Sequence, residues 1–279
     1  MAHARAWRPA SSGTRTGGLW LAVAVILIAV YAAGRLVWDT GSGSYLSLAF
    51  GWAALALLAA VSALGVRKRA LGLASRLRAG RSRAWLSLHL HGGSVFLLLV
   101  VLHTDLSRPH GWATSWLLGL SVWTVAGGLV GRGLQRWIPR LMTSGLSSEV
   151  LYERIPELVA DLRARAEALA GASGAEVRGL YEREIAPQLA APRRNWRYFV
   201  DITGGLQERL RSVRYLRDKL SDEEARRLDE LAGLLRAKLE LDAHFTLQLA
   251  LRSWLWLHLP TSMLLWAFLG IHLWGVLRY

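Results

Sequence analysis

Trp85–Thr104, WLSLHLHGGSVFLLLVVLHT, is a predominantly apolar stretch from which the rest of the chain can be interpreted. It contains His89 and His103, which are fourteen residues apart. At 100° per residue, fourteen steps along an α-helix fall about 40° short of four full turns, so both rings leave the same face. At a rise of 1.5 Å per residue the two positions lie about 21 Å apart, across most of a hydrocarbon core about 30 Å thick.

A second stretch, Leu257–Trp274, LHLPTSMLLWAFLGIHLW, repeats this arrangement with His258 and His272. An ionisable side chain inside a membrane helix is costly and marks a candidate functional position. A single such histidine is explained by a hydrogen bond to a neighbouring helix, but two pairs at matched spacing favour metal ligation. Both helices are predicted to run in the same direction, which places His89 level with His258 and His103 level with His272. The sequence therefore predicts two haems in two layers, each iron held by two imidazoles.

The other histidines are weaker candidates. His91 lies about 200° around the helix from His89, so only one of the two can face the partner helix, and we assign His89. An HxH pair also suits zinc or copper, but no nearby cysteine or carboxylate completes a tetrahedral site. We expect His110, in an outer loop, and His244, on a helix outside the membrane, to be solvated.

Composition places the chain among integral membrane proteins: 53% of its 279 residues are hydrophobic and its mean hydropathy is positive. The absence of cysteine excludes disulfides, cysteine-ligated iron–sulfur clusters and covalently attached c-type haem. The net charge is +14, yet residues 146–252 contain 18 basic and 18 acidic side chains. The whole excess thus lies in the membrane-spanning parts and their short loops, so we expect lipid contact and no nucleic-acid binding.

The hydropathy pattern predicts an all-α integral membrane bundle, with a four-helix dihaem core, one extra span and a helical cytoplasmic insert. We divide the chain into a disordered basic start (1–17), four transmembrane helices (18–140), the insert (141–252) and a last transmembrane helix (253–279). The predicted spans are Gly18–Trp38, Tyr45–Val66, Ala84–Thr104, Trp112–Leu134 and Ser253–Leu277.

The first span has an alternative interpretation. A basic start, an apolar run and the small residues Ala32-Ala33-Gly34 also fit a cleaved signal peptide. We favour a retained helix because the apolar stretch continues to Trp38. Most basic residues outside the insert fall on one side of the predicted spans: the amino terminus, the 67–83 loop and the segment after the fourth span. The positive-inside rule makes that side cytoplasmic, which places the protein in a bacterial inner membrane with the insert in the cytoplasm.

The insert has charges at helical spacing and no glycine fingerprint after a strand, so it gives no sign of binding a nucleotide. We expect its last helix to continue without interruption into the final span. The predicted elements are an amphipathic helix over 150–169 bent at Pro156, a helix over Ala175–Leu189, a turn around Pro192, a helix over Leu206–Leu220, and a capping box at Ser221–Glu224.

The pattern His89-x3-Gly93-x9-His103-Thr104, together with His258-x13-His272, resembles the dihaem b-type cytochromes. These include the cytochrome b of quinol-oxidising complexes, the membrane cytochrome b subunits of dehydrogenases and hydrogenases, and the ferric-reductase-like proteins. The resemblance implies two non-covalent haem b groups. The flavin domain of ferric reductases is not expected here, and the insert of about 110 residues is a further departure. Gly93 would let a flat macrocycle approach the helix backbone.

This resemblance implies one-electron transfer across the membrane, as a subunit of a respiratory oxidoreductase. The expected donor is a quinone or a cytoplasmic protein, and the expected acceptor is a periplasmic redox partner such as a c-type cytochrome. Two other classes stay open: a metal or small-molecule transporter that uses the histidines as transient ligands, and a non-haem structural subunit of a membrane complex.

Overall fold

The computed structural model describes residues 12–37, 43–69, 82–145 and 150–278, and their regular structure is helical with no strand. This confirms the predicted all-α class. The chain forms two compact units, one comprising Met1–Arg132 with Leu257–Tyr279 and the other Gly133–Trp256.

Five helices of the described chain are long and apolar enough to cross a membrane. They are α1 (Ser12–Val37), α2 (Tyr45–Arg69), α3 (Ser82–His103), α4 (Trp112–Gly145) and α10 (Asp222–Arg278). Their outer faces carry exposed apolar side chains such as Leu21 and Ile26, which are 67% and 60% exposed. Such surfaces are suited to lipid, and the chain is a multi-pass membrane protein.

The first unit has a core of apolar side chains from α2, α3, α4 and α10, among them Phe50, Leu58, Leu99 and Leu265. Its first helix begins at Ser12, so residues 12–17 are helical and not disordered as predicted. Residues 1–11 of the predicted disordered start lie outside the described chain. Most of the basic 67–83 loop, residues 70–81, also lies outside it.

Helix α1 packs specifically against α3. The indole of Trp20 stacks on the ring of His91, with 6.4 Å between centroids and 7° between planes. The buried Tyr31 hydroxyl donates to the carboxylate of Asp105 at 2.5 Å, just after α3 ends. Helix α1 thus contributes a buried aromatic side chain and a hydrogen bond to this unit.

The second unit consists of short helices around an apolar core, with two 3₁₀ turns at Tyr152–Arg154 and Trp196–Phe199. A π-helical turn at Tyr181–Ile185 joins two of its α-helices. The α-helices of this unit are α5 (Ile155–Gly171), α6 (Ala175–Leu180), α7 (Ala186–Leu189), α8 (Leu206–Arg209) and α9 (Arg211–Arg217), followed by the first part of α10. The π-helical turn lies between α6 and α7.

Three details of the insert differ from prediction. Pro156 does not bend a helix but lies in the first turn of α5, where its missing N–H costs no hydrogen bond. The predicted helix over Leu206–Leu220 is interrupted at Leu210, which separates α8 from α9. His244 was expected to be solvated, yet it is 2% exposed because α5 packs over this face of α10. The predicted run of the last helix into the final span is confirmed by α10.

Candidate metal centre

Helices α3 and α10 bring the four predicted ligands together in two facing pairs. The His89 and His258 rings have centroids 6.3 Å apart and planes inclined by 79°. His103 and His272 have the same centroid distance and the same inclination. The fourteen-residue spacing on both helices thus places each histidine opposite the partner that the sequence predicted for it.

The ring separation suits a metal ion between the two imidazoles of each pair. A metal–nitrogen bond of about 2.0 Å, plus about 1.1 Å from nitrogen to ring centre, gives about 6.2 Å between the centroids of two opposed ligands. One aromatic pair at 6.3 Å is also compatible with ordinary ring packing, which spans about 4.5–7 Å. Two pairs with identical geometry on one pair of helices favour a common ligand arrangement.

Helix α2 fixes the tautomer of both α3 histidines. The Nδ1 atom of His103 donates to the Ser47 carbonyl at 2.8 Å, and the Nδ1 atom of His89 donates to the Val61 carbonyl at 3.0 Å. A carbonyl oxygen can only accept, so the proton is on Nδ1 and the Nε2 lone pair stays available to a metal. Ser47 and Val61 are themselves fourteen residues apart.

The Ser47 and Val61 carbonyls, which accept the Nδ1 protons of the two histidines, were not predicted from the sequence. Because α2 and α3 are antiparallel neighbours, a repeat of fourteen residues on α3 is matched by the same repeat on α2. The sequence signal for the Ser47 contact was a polar residue in a span rich in apolar side chains, and the structure shows that this serine is buried. Its hydroxyl also donates to the His103 carbonyl at 2.7 Å.

A cavity that is partly open to the outside adjoins the pair formed by His89 and His258, and the space within and in front of it amounts to about 610 Å³. Its wall is contributed by α2, α3, α4 and α10 and is mostly apolar, as is usual for pockets that bind organic cofactors. Gly93 lines this cavity, and a Cβ atom placed there would meet no atom within 4 Å. The open space at Gly93 suits the predicted approach of a flat macrocycle.

Other glycines lie directly against the histidine rings. A Cβ atom on Gly127 or Gly128 would come within 3.7 Å of the His258 ring, at ordinary contact distance. At Gly51 a Cβ atom would lie 2.9 Å from two atoms of the His103 ring, closer than real Cβ contacts allow. Gly51 is therefore required if His103 is to keep its position on the α2 carbonyl.

The cavity also presents a polar group that suits a bound molecule. The Thr124 hydroxyl lines the wall, is buried, and has no hydrogen-bond partner among the described residues. A buried hydroxyl without a partner costs free energy, which a bound group that accepts its hydrogen bond would recover. The nearby Trp266 indole is already satisfied, since it donates to the Ser62 hydroxyl at 3.0 Å.

His91 takes no part in either pair. Its Nδ1 atom donates to the Ser87 carbonyl of its own helix at 3.0 Å, and its ring lies on Trp20. Within the part of the chain that the structure describes, no group of three or more histidine, cysteine or carboxylate side chains is placed to hold a metal ion.

Each facing pair therefore offers two nitrogen ligands on opposite sides of a gap. A bare ion there would lack most of its coordination shell. A macrocycle that supplies four equatorial nitrogens would complete a six-coordinate iron, so the residues present fit haem b better than a protein-only metal site.

Comparisons with protein families, with curated proteins and with solved structures found no match for this chain. The resemblance of the histidine pattern to dihaem cytochromes therefore stays an expectation from the sequence. What the structure adds is the opposition of the rings, their shared support by α2 and the cavity beside one pair.

Proposed function

We propose that this protein is a dihaem b-type cytochrome that carries electrons across a membrane. His89 and His258 would bind one haem b and His103 and His272 the other, at levels about 21 Å apart along the helices. The observation that carries the proposal is the pair of facing imidazole arrangements, each with 6.3 Å between ring centroids.

The arrangement favours electron transfer over catalysis at the metal. Each facing pair would hold a haem with two imidazoles and leave no protein position free for oxygen or substrate, and the bound haem would supply one-electron oxidation and reduction. The residues of the chain hold the ligands in place: the Ser47 and Val61 carbonyls fix the ring tautomers. The mostly apolar wall of the cavity lowers the local dielectric beside the His89–His258 pair, which favours the less charged state of a bound redox centre.

We place the protein in a bacterial inner membrane, and the positive-inside rule orients it with the insert in the cytoplasm. A quinone or a cytoplasmic protein would donate the electron, and a periplasmic protein such as a c-type cytochrome would accept it. Moving one charge across the full membrane is worth about 2.3 kcal/mol per 100 mV, so the two layers couple redox chemistry to the membrane potential.

Sealed liposomes containing the purified protein test this function. Ferricyanide is trapped inside, dithionite is added outside, and reduction of the trapped dye is followed spectroscopically. We expect dye reduction that is lost in His89→Ala and in His272→Ala, whereas His91→Ala behaves as the parent protein because its ring faces α1. Protein purified without haem that binds copper or zinc and transports the metal would contradict the proposal and favour a transporter.

A further inference from the structure

The insert exposes a loop, residues 193–200 (RRNWRYFV), that combines three arginines with large apolar side chains. Trp196 and Val200 are 74% and 83% exposed, among the most exposed large apolar side chains of this unit. Arg193, Arg194 and Arg197 are also exposed, and no acidic residue interrupts the loop. Exposed apolar side chains grouped with charges of one sign mark an interaction surface.

Hydrogen bonds to α10 fix the first residues of this loop, which we call its base. The backbone N–H of Arg193 donates to the Asp242 carboxylate at 2.8 Å, and that of Asn195 donates to the Thr246 hydroxyl at 3.2 Å. The side chain of Tyr198 is 1% exposed and fixes the middle of the loop in the core. Trp196 therefore points outward from a rigid turn.

Asp242, the anchor of this base, is itself held inside the unit. It accepts two hydrogen bonds of 2.8 Å from the fully buried ammonium group of Lys238. Burial lowers the pKa of Lys238 and raises the pKa of Asp242. Since breaking a buried ion pair by removing one partner is strongly destabilising, the base of the loop is a fixed part of the insert.

A contact within the same unit links the loop to the end of a candidate membrane span. The Phe199 ring packs against Trp137, with 5.8 Å between centroids. Trp137 belongs to the candidate span Trp112–Thr143 and lies 25 residues, or about 38 Å, beyond its first residue. It lies three residues after the predicted end of this span at Leu134 and between Arg136 and Arg140, a setting typical of the interface between hydrocarbon and water. We therefore assign Trp137, and Phe199 with it, to the headgroup level.

We propose that the 193–200 loop is a lipid-binding surface that enters the headgroup layer of the membrane. Trp196 and Val200 would lie at the boundary with the acyl chains, where tryptophan is favoured. Arg194 and Arg197 would bind the phosphate groups of anionic phospholipids, because a guanidinium group presents a planar set of donors to phosphate. This inference does not depend on haem or on electron transfer.

The absence of cysteine from the chain makes a direct test possible. A nitroxide attached at Val200→Cys in the full-length protein, in nanodiscs of neutral lipid with or without 30% phosphatidylglycerol, reports depth through its collisions with oxygen and with a water-soluble nickel chelate. In the anionic discs, we expect the label at position 200 to collide more often with oxygen than with the nickel chelate. We expect the opposite at the control Tyr215→Cys, a site of the same unit that is 69% exposed. Trp196→Cys provides a second position if the first variant does not fold.

Removing the two arginines tests the headgroup contact. Each basic residue near an anionic surface contributes a favourable electrostatic free energy of binding. Arg194→Gln combined with Arg197→Gln should therefore lower the ratio of immersed to water-exposed label by about 30-fold. The matched control is Arg165→Gln with Arg226→Gln, which removes two exposed arginines elsewhere in the insert. A label at position 200 that is open to nickel in both disc types would overturn the proposal and indicate a protein partner or none. Immersion that responds neither to lipid charge nor to the arginines would overturn the anionic-lipid contact.

Discussion

The two histidine layers share one ring geometry but differ in what surrounds the rings. In the inner layer, His89 is held by the Val61 carbonyl and its pair adjoins a partly open, mostly apolar cavity. In the outer layer, the Ser47 carbonyl accepts a hydrogen bond from His103 Nδ1 and the Ser47 hydroxyl donates one to the His103 carbonyl. Gly51 lies directly against the His103 ring. The spacing along α3 and α10 sets the ligands, whereas the packing of α2 and α4 sets the surroundings.

The outer layer is the more constrained of the two. Helix α3 ends there in a turn in which Asp105 and Leu106 both have positive φ values, 52° and 56°. Residues other than glycine rarely adopt this conformation, and it persists only where the surrounding structure holds it. The hydrogen bond from Tyr31 to Asp105 provides that support. We therefore expect two haems of the same coordination but of separable reduction potential.

The largest expected effect comes from removing one ligand of either layer. His258→Ala should abolish binding of the inner haem and His272→Ala binding of the outer one, since each substitution removes one of the two imidazoles that would hold that haem. Each variant should keep about half of the parent haem content in the pyridine haemochrome assay. Loss of both haems in either single variant would show that the layers are not independent sites.

Gly51→Ala should affect the outer layer alone. The new Cβ atom would lie 2.9 Å from the His103 ring, and relieving that overlap costs about 1–3 kcal/mol. We expect weaker retention of the outer haem during purification, measured as haem lost on dilution in detergent. The control is Gly65→Ala, fourteen residues further along the same helix, where a Cβ atom meets nothing within 4 Å. Equal haem loss in the two variants would contradict the close contact at Gly51.

Ser47→Ala should change the potential of the outer haem without removing it. The substitution deletes the hydroxyl, 3.3 Å from His103 Nδ1, but keeps the carbonyl that accepts the Nδ1 proton. Weaker support of the ring lowers its basicity, so the potential should rise by about 20–60 mV, equivalent to a hydrogen bond of about 0.5–1.5 kcal/mol. A redox titration that shows the inner potential moving instead would reverse the assignment of the layers.

Thr124→Val should have the complementary and smaller effect on the inner layer. Its hydroxyl has no partner among the described residues and faces the cavity beside His89 and His258. Removing it should shift only the inner potential, by about 40 mV or less, through loss of one hydrogen bond to the bound group. Ser121→Ala is the control, because that hydroxyl already donates to the Leu117 carbonyl. An equal shift in the control would remove the special role of Thr124.

The ligand pairs and the spans were predictable because both follow from spacing and hydropathy along single helices. Ser47, Val61 and Gly51 were not, because their roles depend on the register between α2 and α3, which periodicity within one helix does not contain. His244 was misjudged for the same reason: the α5 side chains that cover it lie far away in sequence. Pro156 fits a helix start as well as a bend, and the choice depends on where the preceding residues turn.

The most direct test of the central claim is the amount of haem b per polypeptide in detergent-purified protein, combined with a redox titration monitored by electron paramagnetic resonance. We expect two non-covalent haems with separable potentials. Because both ring pairs are inclined by 79°, we also expect two low-spin ferric signals of strongly anisotropic type. A protein that holds no haem, when produced in cells that supply it, would contradict the assignment of the histidine pairs as haem ligands.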